Sequence, residues 1–346
     1  MKALVLNSPN QFETIKDYPL PNLREGEILV RVKSCTICGT DIRILEGKKT
    51  KGVHYPSVPG HEIAGIIEET KATGMTLKKG DRISVIPVIP CHTCHYCLTG
   101  QENICQNRRA IGYEYDGGFA EYLRIPEEAV KYGHVVPLPE SISFEEGSLI
   151  EPLSCCLNGI KKSKVHLAGS CLIVGAGPIG LMHIQLAKAV GAAHIVVSEP
   201  NSIRRDLARY FGADIVLDPT TQNIEEVSRD VTDGIGFDSV ILAIGVSSIV
   251  NDLLLLLRKG GTLNLFAGFP DKGTCTLDAN LIHYNEITVN GTSASTRFDY
   301  LQVKELVAQG KVRVKELISH HFALEQFREA YELAKKGEGI KIVIQP

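Results

Sequence analysis

Ser170-Cys171-Leu172-Ile173-Val174-Gly175-Ala176-Gly177-Pro178-Ile179-Gly180 is the stretch whose reading decides the fold of this 346-residue chain. Five residues suited to a buried strand run straight into a G-x-G-x-x-G pattern that opens a helix. Apolar side chains then recur at Ile179, Met182, Leu186 and Val190 until Gly191 stops them. Gly175 permits the turn, Gly177 lets backbone N–H groups approach a pyrophosphate, and Gly180 lets helix and strand pack closely. A tight strand-to-helix turn without a ligand is the bland alternative. The next strand, His194-Ile195-Val196-Val197-Ser198, ends at Glu199, where a carboxylate can accept hydrogen bonds from an adenosine ribose and repel a 2'-phosphate. NAD is therefore expected over NADP, with Arg204 and Arg205 as the residues that would suit the phosphate. Further strand candidates at 214–217, 238–244, 262–266 and 286–291 complete a doubly wound parallel α/β sheet.

Outward from this unit the grammar changes. From Met1 to about Ile150 short alternating runs, such as Glu27-Ile28-Leu29-Val30-Arg31-Val32, are punctuated by Gly and Pro, as are 63–68, 82–88 and 119–125. They predict a β-rich, folded-over first domain. Beyond about Thr296 come a helix at 300–309, an extended stretch at 312–322, a helix at 324–336 and a strand at 340–344. A tail that follows a finished nucleotide sheet is expected to return to the first domain. The division expected is 1–152 completed by 296–346, with 153–295 as the dinucleotide domain.

A net charge of -3 offers no basic surface to nucleic acid or anionic lipid. The longest apolar run, Leu253 to Leu257, lies between Asp252 and Arg258, is far too short to span a membrane, and reads as a buried helix face. No export signal is apparent at the N-terminus, so a cytoplasmic location is expected, where ten cysteines bind metal or sit buried rather than pair. Cys35, Cys155, Cys156, Cys171 and Cys275 read as packing residues.

Two groups of metal-binding type stand out. Cys38-Gly39-Thr40-Asp41 and Gly60-His61-Glu62 together offer a thiolate, an imidazole and a carboxylate, the layout of a catalytic metal that keeps a position for water or substrate. Cys91, Cys94, Cys97 and Cys105 lie within one loop and can close a tetrahedral structural zinc site, with His92 and His95 as bystanders. An iron–sulfur cluster and a redox switch are the rivals for that loop.

With these residues, with Asp116-Gly117-Gly118-Phe119-Ala120-Glu121-Tyr122 and with Glu151-Pro152-Leu153, the chain resembles the zinc-dependent medium-chain dehydrogenases from end to end. Within them it is most similar to the polyol branch, the sorbitol and L-iditol 2-dehydrogenases. The resemblance implies a GroES-like β domain plus a Rossmann domain, with one catalytic and one structural zinc and NAD as cofactors. Cys38, His61 and Glu62 would hold the catalytic zinc, and Glu151 would be a further ligand or stand behind it. Thr40 would relay the proton, and Gly175, Gly177, Pro178, Ile179, Gly180, Glu199 and Arg204 would bind the dinucleotide. A thiolate, a carboxylate and a neutral imidazole cancel the charge of zinc, which favours Glu151 outside the ligand set. The expected reaction is hydride transfer from a secondary alcohol of a polyol to NAD. A polyol phosphate, aminocyclitol, aldonate or L-threonine is the alternative substrate, and a zinc-thiolate redox sensor the non-enzymatic one. A homodimer or homotetramer is the family's usual assembly. Three departures blur the substrate: Arg43 where threonine dehydrogenases carry His, Ile44 where sorbitol dehydrogenases place a tyrosine, and Ser295-Thr296 in place of a late Arg-Tyr pair. Arg297 beside it could bind hydroxyls or an anion, or be a solvated charge.

Overall fold

Burial on both faces makes Ser170–Val174 a central strand, as its unbroken apolar run demands. His194–Ser198 and then Ile215–Leu217 pair in parallel on one side of it; Phe237–Leu242, Leu257–Leu265 and Thr288–Gly291 follow on the other. In chain order this is 3-2-1-4-5-6, the doubly wound dinucleotide topology. The computed structural model describes residues 1–74, 76–269 and 273–346. Two compact units divide the chain: Cys155–Ser293, which holds this sheet, and Met1–Ser154 together with Ala294–Pro346.

The run Leu253 to Leu257 is not one helix face. The helix Val250–Leu254 ends inside it, Leu255 is 59% exposed, and Leu257 opens a strand. Leu253 and Leu254 from the helix, Leu256 from the turn and Leu257 from the strand enter one core, which leaves a run with no period to read.

In the other unit, a seven-stranded sheet runs in the order Ile318–Ala323, Lys341–Gln345, Ile28–Thr36, Glu62–Thr70, Arg82–Val85, Val135–Pro137, with Tyr122–Ile125 also paired to Ile28–Thr36. Its alternating side chains close over Leu6, Ile28, Ile63, Ile83, Phe119 and Phe327. The C-terminal strand sits beside Ile28–Thr36 with Val343 opposite Thr36, while Thr36 on its other edge faces Glu62. That register brings the last strand of the chain against the strand that begins at Glu62.

Cys35, Cys156 and Cys171 are buried, but Cys275 is exposed and packs no core. Arg297 keeps its side chain 38% exposed, but it is ion-paired rather than free for a ligand. Its backbone N–H donates to Glu102 Oε1 at 2.6 Å, its Nε lies 3.3 Å from Glu102 Oε2, and its Nη1 donates to Tyr132 O. The side chain pins the start of the helix Arg297–Ala308 to the cysteine loop. Thr296 is that helix's N-cap, closed by Asp299 in a capping box. Ile44 is fully buried in the core, so the place of the expected tyrosine is packing, not contact with a substrate.

Candidate metal centres and nucleotide site

Cys38 is the N-cap of the helix Gly39–Leu45, and the residue three further on completes a capping box: Asp41 Oδ2 accepts the Cys38 N–H at 2.9 Å. The same carboxylate, fully buried, accepts from His61 Nδ1 through Oδ1 at 3.0 Å. A carboxylate can only accept, so the ring proton sits on Nδ1 and the Nε2 lone pair is left for a metal. Asp41 thus fixes both the Cys38 turn and the His61 tautomer. His61 itself is held from behind. Gly117, Gly118 and Phe119 donate their N–H groups to Val58, Gly60 and Pro59 at 2.6, 2.9 and 3.1 Å, and Asp116 Oδ1 accepts the Val58 N–H at 2.9 Å. A Cβ on Gly117 would stand 2.1 Å from Gly60 O. Gly117→Ala is therefore expected to displace the segment that carries His61 and Glu62, lowering stability by about 1–3 kcal/mol and weakening zinc retention; urea unfolding and metal analysis check both.

Cys38, His61 and Glu62 offer one ligand atom each, all within 4.8 Å of one another. Glu62 is fully buried, and its two oxygens differ. Oε2 takes hydrogen bonds from Thr36 and from the buried ammonium of Lys341, whereas Oε1 has no partner among the described residues. A buried carboxylate oxygen with no partner is costly unless something binds it. An oxygen beside a thiolate and an imidazole nitrogen is a donor set that fits zinc. Glu151, in the first turn of the helix Ile150–Lys162 and nearly buried, lies outside this set of three. Its charge nonetheless raises the pKa of Lys341 and of Tyr113.

Lys341 changes the charge arithmetic of the site. Burial opposes its charge, but Glu62 and Cys38 outweigh burial and hold its pKa above the usual 10.5. Its ammonium offsets one of the buried carboxylates around the centre, so the negative charge that Asp41, Glu62 and Glu151 bring together is reduced by one. Tyr113 covers the imidazole, its ring centroid 5.4 Å from that of His61, and burial raises its hydroxyl pKa. The sequence reading assigned no role to Asp41, Thr36, Lys341 or Tyr113. Two signals were available: the capping-box spacing from Cys38 to Asp41, and a lone lysine in the otherwise apolar Ile340-Lys341-Ile342-Val343-Ile344.

Zinc–sulfur bonds of about 2.3 Å place the sulfurs of a tetrahedral site about 3.8 Å apart. In the cysteine loop Cys94 Sγ lies 3.6 Å from Cys97 Sγ and 3.7 Å from Cys105 Sγ, far beyond a disulfide and close to that tetrahedral edge. Backbone N–H groups of Cys91 and Asn107 donate to Cys105 Sγ at 3.2 and 3.4 Å. N–H groups of Thr93 and Cys94 bring the Cys91 thiol down to about 6, while burial pushes Cys97 up to about 12. His92, in the left-handed region at φ 60, stacks on Tyr132 at 3.7 Å and serves as a packing wedge; His95 is exposed.

Gly175 adopts φ +100, and a Cβ on Gly180 would stand 1.9 Å from Gly175 O, so turn and close packing both need glycine. Nothing lies within 4 Å of where a Gly177 Cβ would be. The helix Pro178–Ala189 starts there without a side-chain cap, leaving its first N–H groups, including that of Ile179, for an anion such as a pyrophosphate. Glu199 Oε2 accepts the Ala176 N–H at 2.7 Å and Oε1 the Asn201 N–H at 2.9 Å, so the acid clasps the glycine turn. Each oxygen keeps a second lone pair for a ribose hydroxyl. Arg205 is committed to Glu199 O, Pro200 O and Asp218, at 2.9, 2.6 and 2.9 Å. The Arg204 backbone N–H donates to the Oδ1 of the helix N-cap Asn201 at 3.0 Å.

Residues 24–140 match the family model described as the alcohol dehydrogenase GroES-like domain, and 178–309 the one described as zinc-binding dehydrogenase. The chain is 32% identical over 349 residues to an L-threonine 3-dehydrogenase of Bacillus velezensis, covering 100% of this chain and 99% of that one. It is 33% identical over 332 residues to a D-arabitol-phosphate dehydrogenase of Enterococcus avium, covering 95% and 92%. A zinc-binding dehydrogenase structure from Sinorhizobium meliloti 1021, solved with NADP bound, matches 100% of this chain and 99% of its own with a TM-score of 0.90 at 29% identity.

Proposed function

The chain belongs to the zinc-dependent medium-chain alcohol and polyol dehydrogenases, and from that premise we propose that it oxidises a secondary alcohol of a polyol-like substrate to the ketone with NAD as hydride acceptor. It is an oxidoreductase of small-molecule alcohols that uses zinc and a nicotinamide dinucleotide. The observation that carries the fuller reading is the partnerless Glu62 Oε1 beside Cys38 and His61. Cys38, His61 and Glu62 would hold the catalytic zinc, which when bound supplies the Lewis acidity that brings alcohol deprotonation toward neutral pH, while the nicotinamide supplies the hydride acceptor. Asp41 keeps His61 in the metal-binding tautomer, and Lys341 with Thr36 holds Glu62 by its other oxygen. Thr40, two residues past Cys38, passes the alcohol proton outward through its hydroxyl. Glu151 remains a nearby negative charge rather than a required ligand. Cys91, Cys94, Cys97 and Cys105 would hold the structural zinc.

NAD rather than NADP is supported by Glu199 and by the engagement of Arg205. Glu199→Ala is expected to raise the KM for NAD by about 10- to 100-fold, the worth of hydrogen bonds to a charged acceptor, and to narrow the gap to NADP; initial rates with both dinucleotides check it. A homodimer or homotetramer in the cytoplasm belongs to the same proposal and rests on the family resemblance. No helix among the described residues is long and apolar enough to cross a membrane. The direct test is absorbance at 340 nm with NAD and a panel of polyols, polyol phosphates, aldonates and threonine. Turnover confined to the polyol class is expected; none on polyols or their phosphates would overturn the proposal.

A further inference from the structure

Beside the candidate catalytic centre lies a group of cations that nothing above employs. The helix Gly39–Leu45 ends in a loop that folds back on it: the N–H groups of Lys48 and Lys49 both donate to Arg43 O, at 2.8 and 3.0 Å. The fold-back brings Lys49 to the side of Arg43. Its ammonium rests over the Tyr113 ring, 4.7 Å from the centroid, and that ring is the one packed on His61 at 5.4 Å. One aromatic side chain is thus the common neighbour of the metal-ligand imidazole and of Lys49.

Lys49 is half-buried and forms no ion pair among the described residues. Its neighbour Lys48 is paired with Glu46 at 2.7 Å, and Lys335 takes that same carboxylate at 2.9 Å, so the nearest acid on its own loop is spent. Arg108, held by a 2.7 Å bond from its Nη1 to Asn103 O, adds positive charge, as do Arg43 and Lys51. Glu114 is the acid among them, and one of its oxygens already accepts the Ala110 N–H at 2.8 Å. Burial, then Arg108, Arg43 and Lys51, depress the Lys49 pKa below its usual 10.5 despite Glu114. A half-buried ammonium, crowded by like charge and held next to the reacting centre, is only partly offset by the Tyr113 ring and Glu114 in the free protein.

We infer that the alcohol oxidised here carries a phosphate group, gripped by Lys49 with Arg43, Lys51 and Arg108; the inference rests on the polyol reading and names its substrate class. A phosphate dianion offsets the surplus charge and accepts bonds from several of these donors. A neutral polyol leaves the surplus standing. An amino acid such as threonine is a zwitterion, whose single carboxylate charge is cancelled by its own ammonium and leaves the surplus in place.

The test measures kcat/KM at 340 nm for arabitol, ribitol and sorbitol and for their terminal phosphates, with the corresponding aldonates alongside. The wild-type enzyme is expected to favour a phosphate over its parent polyol by at least about 100-fold, with a KM for the phosphate that rises with salt. In Lys49→Gln the ratio of the two kcat/KM values is expected to fall by about 10- to 100-fold, mainly through KM, and Lys49→Arg to restore part of it. A wild-type ratio near one, an aldonate preferred over the phosphate, or a ratio unchanged in Lys49→Gln would overturn the inference. Turnover of neutral polyols with no phosphate preference defeats this inference alone, whereas no turnover of any alcohol defeats the reading beneath it.

Discussion

Lys341→Met is expected to lower the stability of the metal-free enzyme by about 3–5 kcal/mol, the cost of leaving a buried carboxylate without its ion-pair partner. Glu62 is fully buried and Lys341 almost so, and Thr36 alone cannot offset the charge that remains. Equilibrium urea unfolding measures the loss. Adding Glu62→Gln removes the orphaned charge, so the double variant should recover much of the stability while still failing to retain the metal. The sign of the pH dependence follows from the direction of the Lys341 shift. A pKa raised above 10.5 gives a contribution fully present below that value and lost only as pH rises through the folded-state pKa. Between pH 6 and 9 the difference between wild type and Lys341→Met should therefore show no drift from Lys341 itself. Stability of Lys341→Met equal to that of the wild type would mean that the Glu62 contact contributes nothing.

Cys38→Ser should have the largest effect on turnover. A serine hydroxyl stays protonated where a thiolate binds zinc, so zinc content is expected to fall from two per chain to one. Alcohol oxidation should fall by about 10^3-fold or more, since the metal's share of the barrier is several kcal/mol and each 1.36 kcal/mol is tenfold. Asp41→Asn probes the same site more gently. Its amide can no longer hold His61 with the proton on Nδ1 as a charged acceptor does, and metal affinity should drop by about 10- to 100-fold. Metal analysis alongside the rate separates these outcomes from simple unfolding, because the four-cysteine loop keeps its zinc in both variants.

Much of this was legible in the chain because its signals are local. Gly175 to Gly180 encode a turn and a close approach that few other residues could make, and the strand before them and the helix after them carry their own periods. Cys38, His61 and Glu62 announce themselves by ligand chemistry, and the cysteine loop by spacing. What escaped is long-range. Lys341 meets Glu62 across 279 residues of sequence, and Arg297 reaches Glu102 across 195, pairings set by sheet register and helix docking rather than by any pattern near either residue. An arginine open to a substrate and one that clips two segments together look alike in one dimension. The apolar run at Leu253 misled for the opposite reason: a helix end and a strand start, both aimed at one core, erase the periodicity that would tell them apart.

The most direct measurement is metal stoichiometry coupled to rate: elemental analysis of the purified enzyme before and after a chelator that strips the open site, with NAD reduction by a polyol or its phosphate followed at 340 nm. Two zinc ions per chain are expected, with one removed in step with activity and both restored on adding zinc. Undiminished alcohol oxidation by protein from which every transition metal has been removed would contradict the account.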